Sequence, residues 1–119
     1  MRKDNVVLDK SKAFAIRIIK LYQYLCAEKK EYVLSKQLLR SGTSIGANIR
    51  EAQRGQSTAD FIFKLNISLK EASETEYWLE LLQETGYITD SQFESIVNDC
   101  IELIKLLTSI INSSKGGHT

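Results

Sequence analysis

Apolar residues recur along the chain with a helical period and almost no strand-like alternation. At roughly 100° per residue, Phe14, Ala15, Ile18, Ile19, Leu21, Tyr22, Leu25 and Cys26 share one broad face, with Lys10, Arg17, Lys20 and Glu28 opposite. This predicts a first helix over about residues 8–28. After the polar turn AEKKE, Leu38, Ser41, Ile45, Asn48, Ile49 and Ala52 line the inward face of a second helix over about 33–54. A third, about 58–85, carries Phe61, Leu65, Leu69, Ala72 and Leu79 inward. Ser57, with Asp60 three residues on, caps its start, and Gly86 is placed as the left-handed residue after its end. Thr89 and Gln92 form a capping-box pair opening the fourth helix, whose core row is Phe93, Ile96, Val97, Cys100, Ile104, Leu107 and Ile111. Short connections make neighbouring helices antiparallel. The expected fold is all-α, an up-down-up-down four-helix bundle, with residues 1–113 as one domain and 114–119 as a flexible C-terminal tail.

The third helix has more apolar surface than one core uses. Phe63, Ile67, Trp78 and Leu81 form a second stripe on roughly the opposite side of its wheel, and Ile16 and Tyr24 add to it from the polar side of the first helix. Large apolar residues recurring at helical spacing on an outer face mark an interface. These six residues are the expected contact of a homo-oligomer.

Composition sharpens the picture. None of the 119 residues is proline, as suits long uninterrupted helices. The net charge is only +1, but it is unevenly spread. Residues 1–70 hold 14 basic and 6 acidic residues, a balance of +8; residues 71–119 hold 2 and 9, a balance of −7. Basic and acidic helices can neutralise each other within one bundle, and a basic face of one subunit can meet an acidic face of the next in a head-to-tail contact. In the expected topology Arg2, Lys3, Arg50, Arg54, Lys64, Lys105 and Lys115 gather near one end, diluted by Asp4, Asp9, Glu51 and Asp60. All of these basic residues except Lys115 are the candidate nucleic-acid contacts. No run of apolar residues is long enough to span a membrane, the charged N-terminus lacks a signal-peptide core, and Cys26 and Cys100 lack CxxC spacing. A cytoplasmic protein with reduced cysteines is expected.

The stretch SGTSIGANIREA at 41–52 has the glycines of a phosphate-binding loop. A Walker loop, however, needs a Gly-Lys-Ser/Thr ending whose lysine reaches the phosphates, and Ala47 and Asn48 follow Gly46. The segment instead continues the helical period. Gly42 and Gly46 each cost about 1 kcal/mol relative to alanine in a helix, which close packing offsets; Ser68, Ala72 and Thr75 on the third helix are the expected small partners. Asn48 is read as a buried register-fixing hydrogen bond, in a network that Arg40, Glu51, Glu71, Glu74 and Glu76 could join.

Other chemistry finds little purchase. The single histidine, His118, lies at the C-terminus, so neither a Glu-x-x-His di-iron site, a Cys/His zinc site nor a histidine-dependent nucleophile can be assembled. No cofactor, metal or small-molecule substrate is expected. An enzyme built on Glu71, Glu74 and Glu76 would need a cleft that raises a carboxylate pKa.

Two runs, KSKAFAIRIIKLYQYL at 10–25 and a long one from Tyr32 to Leu82, carry a family resemblance. Its most specific pieces are QLLRSGTSIGANIREA at 37–52 and SLKEASETEYWLELL at 68–82. Through them the chain resembles the 23S ribosomal RNA intervening-sequence protein family, from about Asn5 to the end of the fourth helix. That resemblance implies an antiparallel four-helix bundle assembled as a homopentamer, with no established enzymatic activity. A related group, the accessory variability determinants of diversity-generating retroelements, is strongly basic and associates with nucleic acid and reverse transcriptase; this chain departs from it in charge. Two functions are therefore expected in competition: a non-enzymatic oligomeric scaffold or adaptor, and an accessory factor binding RNA or DNA.

Overall fold

Helical periodicity runs past both predicted ends of the chain. In a computed structural model, which describes residues 3–116, the helices are α1 (Lys3–Ala27), α2 (Leu34–Gln53), α3 (Thr58–Glu84) and α4 (Asp90–Gly116). The first starts well before Leu8 because Val7 and Ser11 belong to the same buried row as Phe14, Ile18 and Leu25. The last reaches Gly116 because Ile110 and Ile111 are buried in its final turns and no glycine or proline interrupts the sequence after Thr89 until that residue. Residues 114–116 are thus helical, where a tail was expected. Residues 117–119, His118 among them, lie outside the described residues, as do Met1 and Arg2.

The turns are fixed locally. Gly86 has φ +83°, its N–H donates to Gln83 O, and Tyr87 N–H donates to Leu82 O, a Schellman motif closing α3. The capping box that follows is reciprocal. Gln92 N–H donates to Thr89 Oγ1 at 3.1 Å and Thr89 N–H donates to Gln92 Oε1 at 2.8 Å. Ser57 Oγ accepts from Asp60 N–H. The α1–α2 turn holds a cap that the AEKKE reading missed. Lys30 takes φ 55°, which turns Glu31 inward until it is 8% exposed. Its carboxylate accepts from the N–H groups of Val33, Leu34 and Ser35, the last at 2.7 Å. Burial works to raise this carboxyl, but those three donors outweigh it and hold it below the usual carboxylate range.

Each helix packs along its neighbours in sequence, α1 and α4 close the square, and α1–α3 and α2–α4 are the diagonals. Cross-helix pairs run in opposite directions. On α2 and α3, Arg40 meets Glu74, Ile45 meets Ser68 and Glu51 meets Lys64. On α1 and α4, Lys10 pairs with Glu102 and Arg17 with Asp99. The result is an antiparallel rod of 50 × 22 × 22 Å. Phe14, Ile18, Leu25, Leu38, Ile45, Leu65, Leu79, Leu103 and Leu107 fill its axis, each such side chain contributing about 1.5–3 kcal/mol by leaving water. Leu103 and Ile110 belong to this core although the α4 row was read without them. Ile19 does not: it is 39% exposed, because the inward arc of α1 is narrower than its run of apolar residues.

Candidate interaction surfaces

Small residues do pack closely, but against a different neighbour from the one expected. A Cβ added at Gly42 would stand 2.8 Å from Cγ1 and Cγ2 of Ile18, and one at Gly46 would stand 3.1 Å from Ser11 Oγ. Both glycines therefore face α1. Ser68, Ala72 and Thr75 serve other contacts. Ser68 Oγ donates to Ile45 O at 2.8 Å and Thr75 Oγ1 donates to Ser41 Oγ at 2.8 Å, both towards α2. Ala72 O accepts from Cys100 Sγ of α4 at 3.2 Å. The rows 41–45–48 and 42–46–49 are adjacent ridges of one helix, so a shared period conceals which neighbour each meets. Asn48 is half-buried and donates to Ser44 O within α2; the register-fixing hydrogen bonds come from the hydroxyls instead.

The glutamates divide by face. Arg40 reaches Glu71 at 3.3 Å and also Glu74, and Trp78 Nε1 donates to Glu74 Oε1 at 3.3 Å. Glu76 sits on the opposite flank of α3, towards Cys100. Burial, and after it the Glu76 charge, push that thiol up to about 12, so it stays protonated and packs as a small apolar side chain. Carboxylates tied to an arginine on one flank and set beside a buried thiol on the other do not converge on a common substrate position.

The six expected interface residues separate into two groups. Phe63 is 62% exposed and Ile16 is 47% exposed, with Ile67 and Leu81 half-buried on the row of Phe63. Tyr24 and Trp78 instead lean on the chain's own core. Tyr24 lines a groove of about 460 Å³ between α1 and α4, together with Leu21 and Ile88, on a different side of α1 from Ile16. Sequence reasoning missed Tyr77, which is 53% exposed and stands on the outer face of α3 four residues before Leu81. Its spacing signalled this, since it lies fourteen residues after Phe63, close to four helical turns.

Among the described residues the expected basic contacts are spread over α2, α3 and α4. Arg50 and Arg54 border a groove of about 380 Å³ between α1 and α2, with Lys12 beside them and a floor of Ser11, Ala15 and Gly46. Lys64 Nζ lies 2.8 Å from Glu51 Oε1, its charge balanced in the α2–α3 seam. Lys105 is exposed on α4, diagonal to α2 and so remote from Arg50 and Arg54. Arg2 and the side chain of Lys3 fall outside the described residues. Among the described residues, no group of three or more His, Cys, Asp and Glu could hold a metal ion, and no helix is long and apolar enough to cross a membrane.

The chain matches the family model for 23S rRNA-intervening sequence protein over residues 3–109. It is also similar to a solved structure of a Bacteroides thetaiotaomicron protein of unknown function from the S23 ribosomal protein family. The two share 68% identity with a TM-score of 0.92, covering 93% of this chain and 99% of that one. No curated protein matches.

Proposed function

The chain belongs to the 23S rRNA-intervening sequence protein family, and from that premise we propose a cytoplasmic, non-enzymatic module that assembles copies of itself into a scaffold or adaptor. One observation carries the reading. Phe63, Tyr77, Ile67 and Leu81 share one outward side of α3 at helical spacing, Phe63 62% and Tyr77 53% exposed and Ile67 and Leu81 half-buried. A row of that kind is stabilised by covering, and copies of the chain are always at hand to cover it. The interior supports a packing role. Among the described residues no buried side-chain nitrogen or oxygen lacks a partner, which leaves the bundle without an orphaned polar group poised for chemistry. The two free cysteines suit a reducing compartment. A pentamer is the assembly that the family resemblance implies.

Light scattering on the eluting peak tests this directly. The wild type should run at a multiple of 13.5 kDa, and Phe63→Asp should lower the mass while circular dichroism stays helical. A wild type at the monomer mass across a wide concentration range sinks the proposal.

The groove bordered by Lys12, Arg50 and Arg54 favours a second reading, an accessory factor that contacts the phosphates of RNA or DNA. Its acidic neighbour Glu51 is already engaged by Lys64, which leaves three cations facing solvent. Retention of a nucleic acid should then fall steeply with salt and weaken further in Arg50→Glu/Arg54→Glu. An absence of retention at low salt ends this reading.

A further inference from the structure

The seam between α1 and α4 is open where the end of α1 lies beside the start of α4. Ser91 and Ser95 stand one turn apart on α4 and fill little of the space opposite Leu21 and Tyr24. The groove they leave has a volume of about 460 Å³, inside the range of about 300–1,000 Å³ that small-molecule sites occupy. We propose that this groove binds a small amphipathic carboxylate, with its apolar body on the floor and its charge at Lys20.

Floor and rim differ in chemistry. Ile88 and Ile96 are buried and Leu21 and Tyr24 half-buried, which makes the floor apolar. Along α1 it runs from Arg17 to Tyr24, about 10 Å, the length of a short alkyl chain. The rim is polar, and its unspent groups donate. Gln92 Oε1 already accepts from Thr89 N–H, which leaves the Nε2 hydrogens. Ser95 Oγ already accepts from an Arg17 Nη at 2.9 Å, which leaves its hydroxyl hydrogen. Charge then selects the ligand. Arg17 is balanced by Asp99 at 2.7 Å, but Lys20 makes no ion pair within the described residues, and no carboxylate lines the groove. An ammonium ligand would be repelled, and a neutral apolar one would leave the donors without acceptors. A carboxylate supplies acceptors to the rim and a counter-charge to Lys20. The ligand is held and not converted, since no histidine, cysteine or carboxylate lines the groove to attack it or to exchange a proton with it. The lining takes nothing from α2 or α3, so the site does not rest on the self-assembly reading.

Equilibrium dialysis of radiolabelled octanoate against the full chain tests this. Uptake should saturate at one octanoate per chain, and octylammonium, with the same tail and the opposite charge, should not displace it. Lys20→Glu should weaken uptake at least about tenfold, whereas Lys20→Arg should keep it near the wild type. Ser91→Trp fills the groove from an exposed position and should abolish uptake while circular dichroism stays helical. Uptake that never saturates, that octylammonium displaces as well as octanoate does, or that survives Lys20→Glu overturns the proposal. Full uptake by a helical Ser91→Trp chain does the same, because the octanoate then sits elsewhere on the bundle. Should Ser91→Trp lose its helical signal, the contrast between Lys20→Glu and Lys20→Arg decides. A wild type that is monomeric by light scattering yet takes up octanoate removes self-assembly and leaves this site standing.

Discussion

On the side of α2 that meets α1, Gly42 and Gly46 present bare backbone to Ile18 and Ser11; on the side that meets α3, Ser41 and the carbonyl of Ile45 take hydrogen bonds from Thr75 and Ser68. Both seams are tight, for different physical reasons. The first depends on absent volume, since dispersion between surfaces falls off steeply with a small gap. The second depends on directed bonds between groups that no water reaches. A seam of the first kind should be indifferent to polarity and intolerant of size, and a seam of the second kind the reverse.

The largest break is expected at Gly42. Its added Cβ meets two γ carbons of Ile18 at 2.8 Å, and Ile18 is fully buried and β-branched, with essentially one helical rotamer. Neither side can yield without separating the helices. Overpacking of this order costs about 1–3 kcal/mol, against about 1 kcal/mol recovered from helix propensity. Gly42→Ala should therefore lower stability by up to about 2 kcal/mol, read as a lower urea midpoint with an unchanged slope.

The hydroxyl seam should break more gently, and by polarity alone. Thr75→Val keeps the shape and removes the donor to Ser41, and Ser68→Ala removes the donor to Ile45 O. Each should cost about 1 kcal/mol. Thr75→Val and Ser41→Ala should be non-additive by at least about 0.5 kcal/mol, because the second loss leaves nothing unpaired that the first had not already freed. Additive losses would mean that the hydroxyls act through volume after all.

Acid separates the seams in another way. The glycine seam ends in the Glu31 turn, whose carboxylate caps α2, whereas the α2–α3 turn is capped by neutral Ser57. Since the folded state holds Glu31 below its ordinary range, its contribution is complete above the unfolded value of about 4.3 and is lost as pH falls through the lower folded value. Glu31→Gln should cost about 1 kcal/mol at neutral pH, and much less once acid has already protonated the wild-type carboxyl. A penalty that persists at the lowest pH where the fold survives would assign Glu31 to packing instead.

What the sequence disclosed follows the same division between local and distant causes. Ser57, Gly86, Thr89 and Gln92 were legible because a cap is written in three or four consecutive residues. Glu31 was not: it stands at the end of a run of charges, and only the left-handed Lys30 turns it inward. The exposure of Phe63 was legible from spacing on one helix. The inward lean of Tyr24 and Trp78 was not, since a wheel shows direction but not how far a neighbouring helix reaches around. The partner of Gly42 and Gly46 was misread for a related reason, two ridges of α2 sharing one period.

The smallest effect, and the finest test of the glycine seam, lies at Gly46. Here the added Cβ would meet a hydroxyl oxygen at 3.1 Å, not a branched carbon. Ser11 Oγ donates only to Leu8 O in its own helix, at 2.8 Å, so it can give way at little cost. Strain and the gain in helix propensity should nearly cancel, leaving Gly46→Ala within about 0.5 kcal/mol of the wild type. Removing the oxygen as well tilts that balance. Ser11→Ala/Gly46→Ala puts a methyl group 3.5 Å from the new Cβ, an ordinary contact, and should melt above either single variant, with up to about 1 kcal/mol gained from replacing a helical glycine. If the double variant is weaker than Gly46→Ala alone, contact with Ser11 does not limit the approach of these helices, and bare backbone at position 46 serves another purpose, such as the open floor of the Lys12–Arg50–Arg54 groove that Gly46 helps to form.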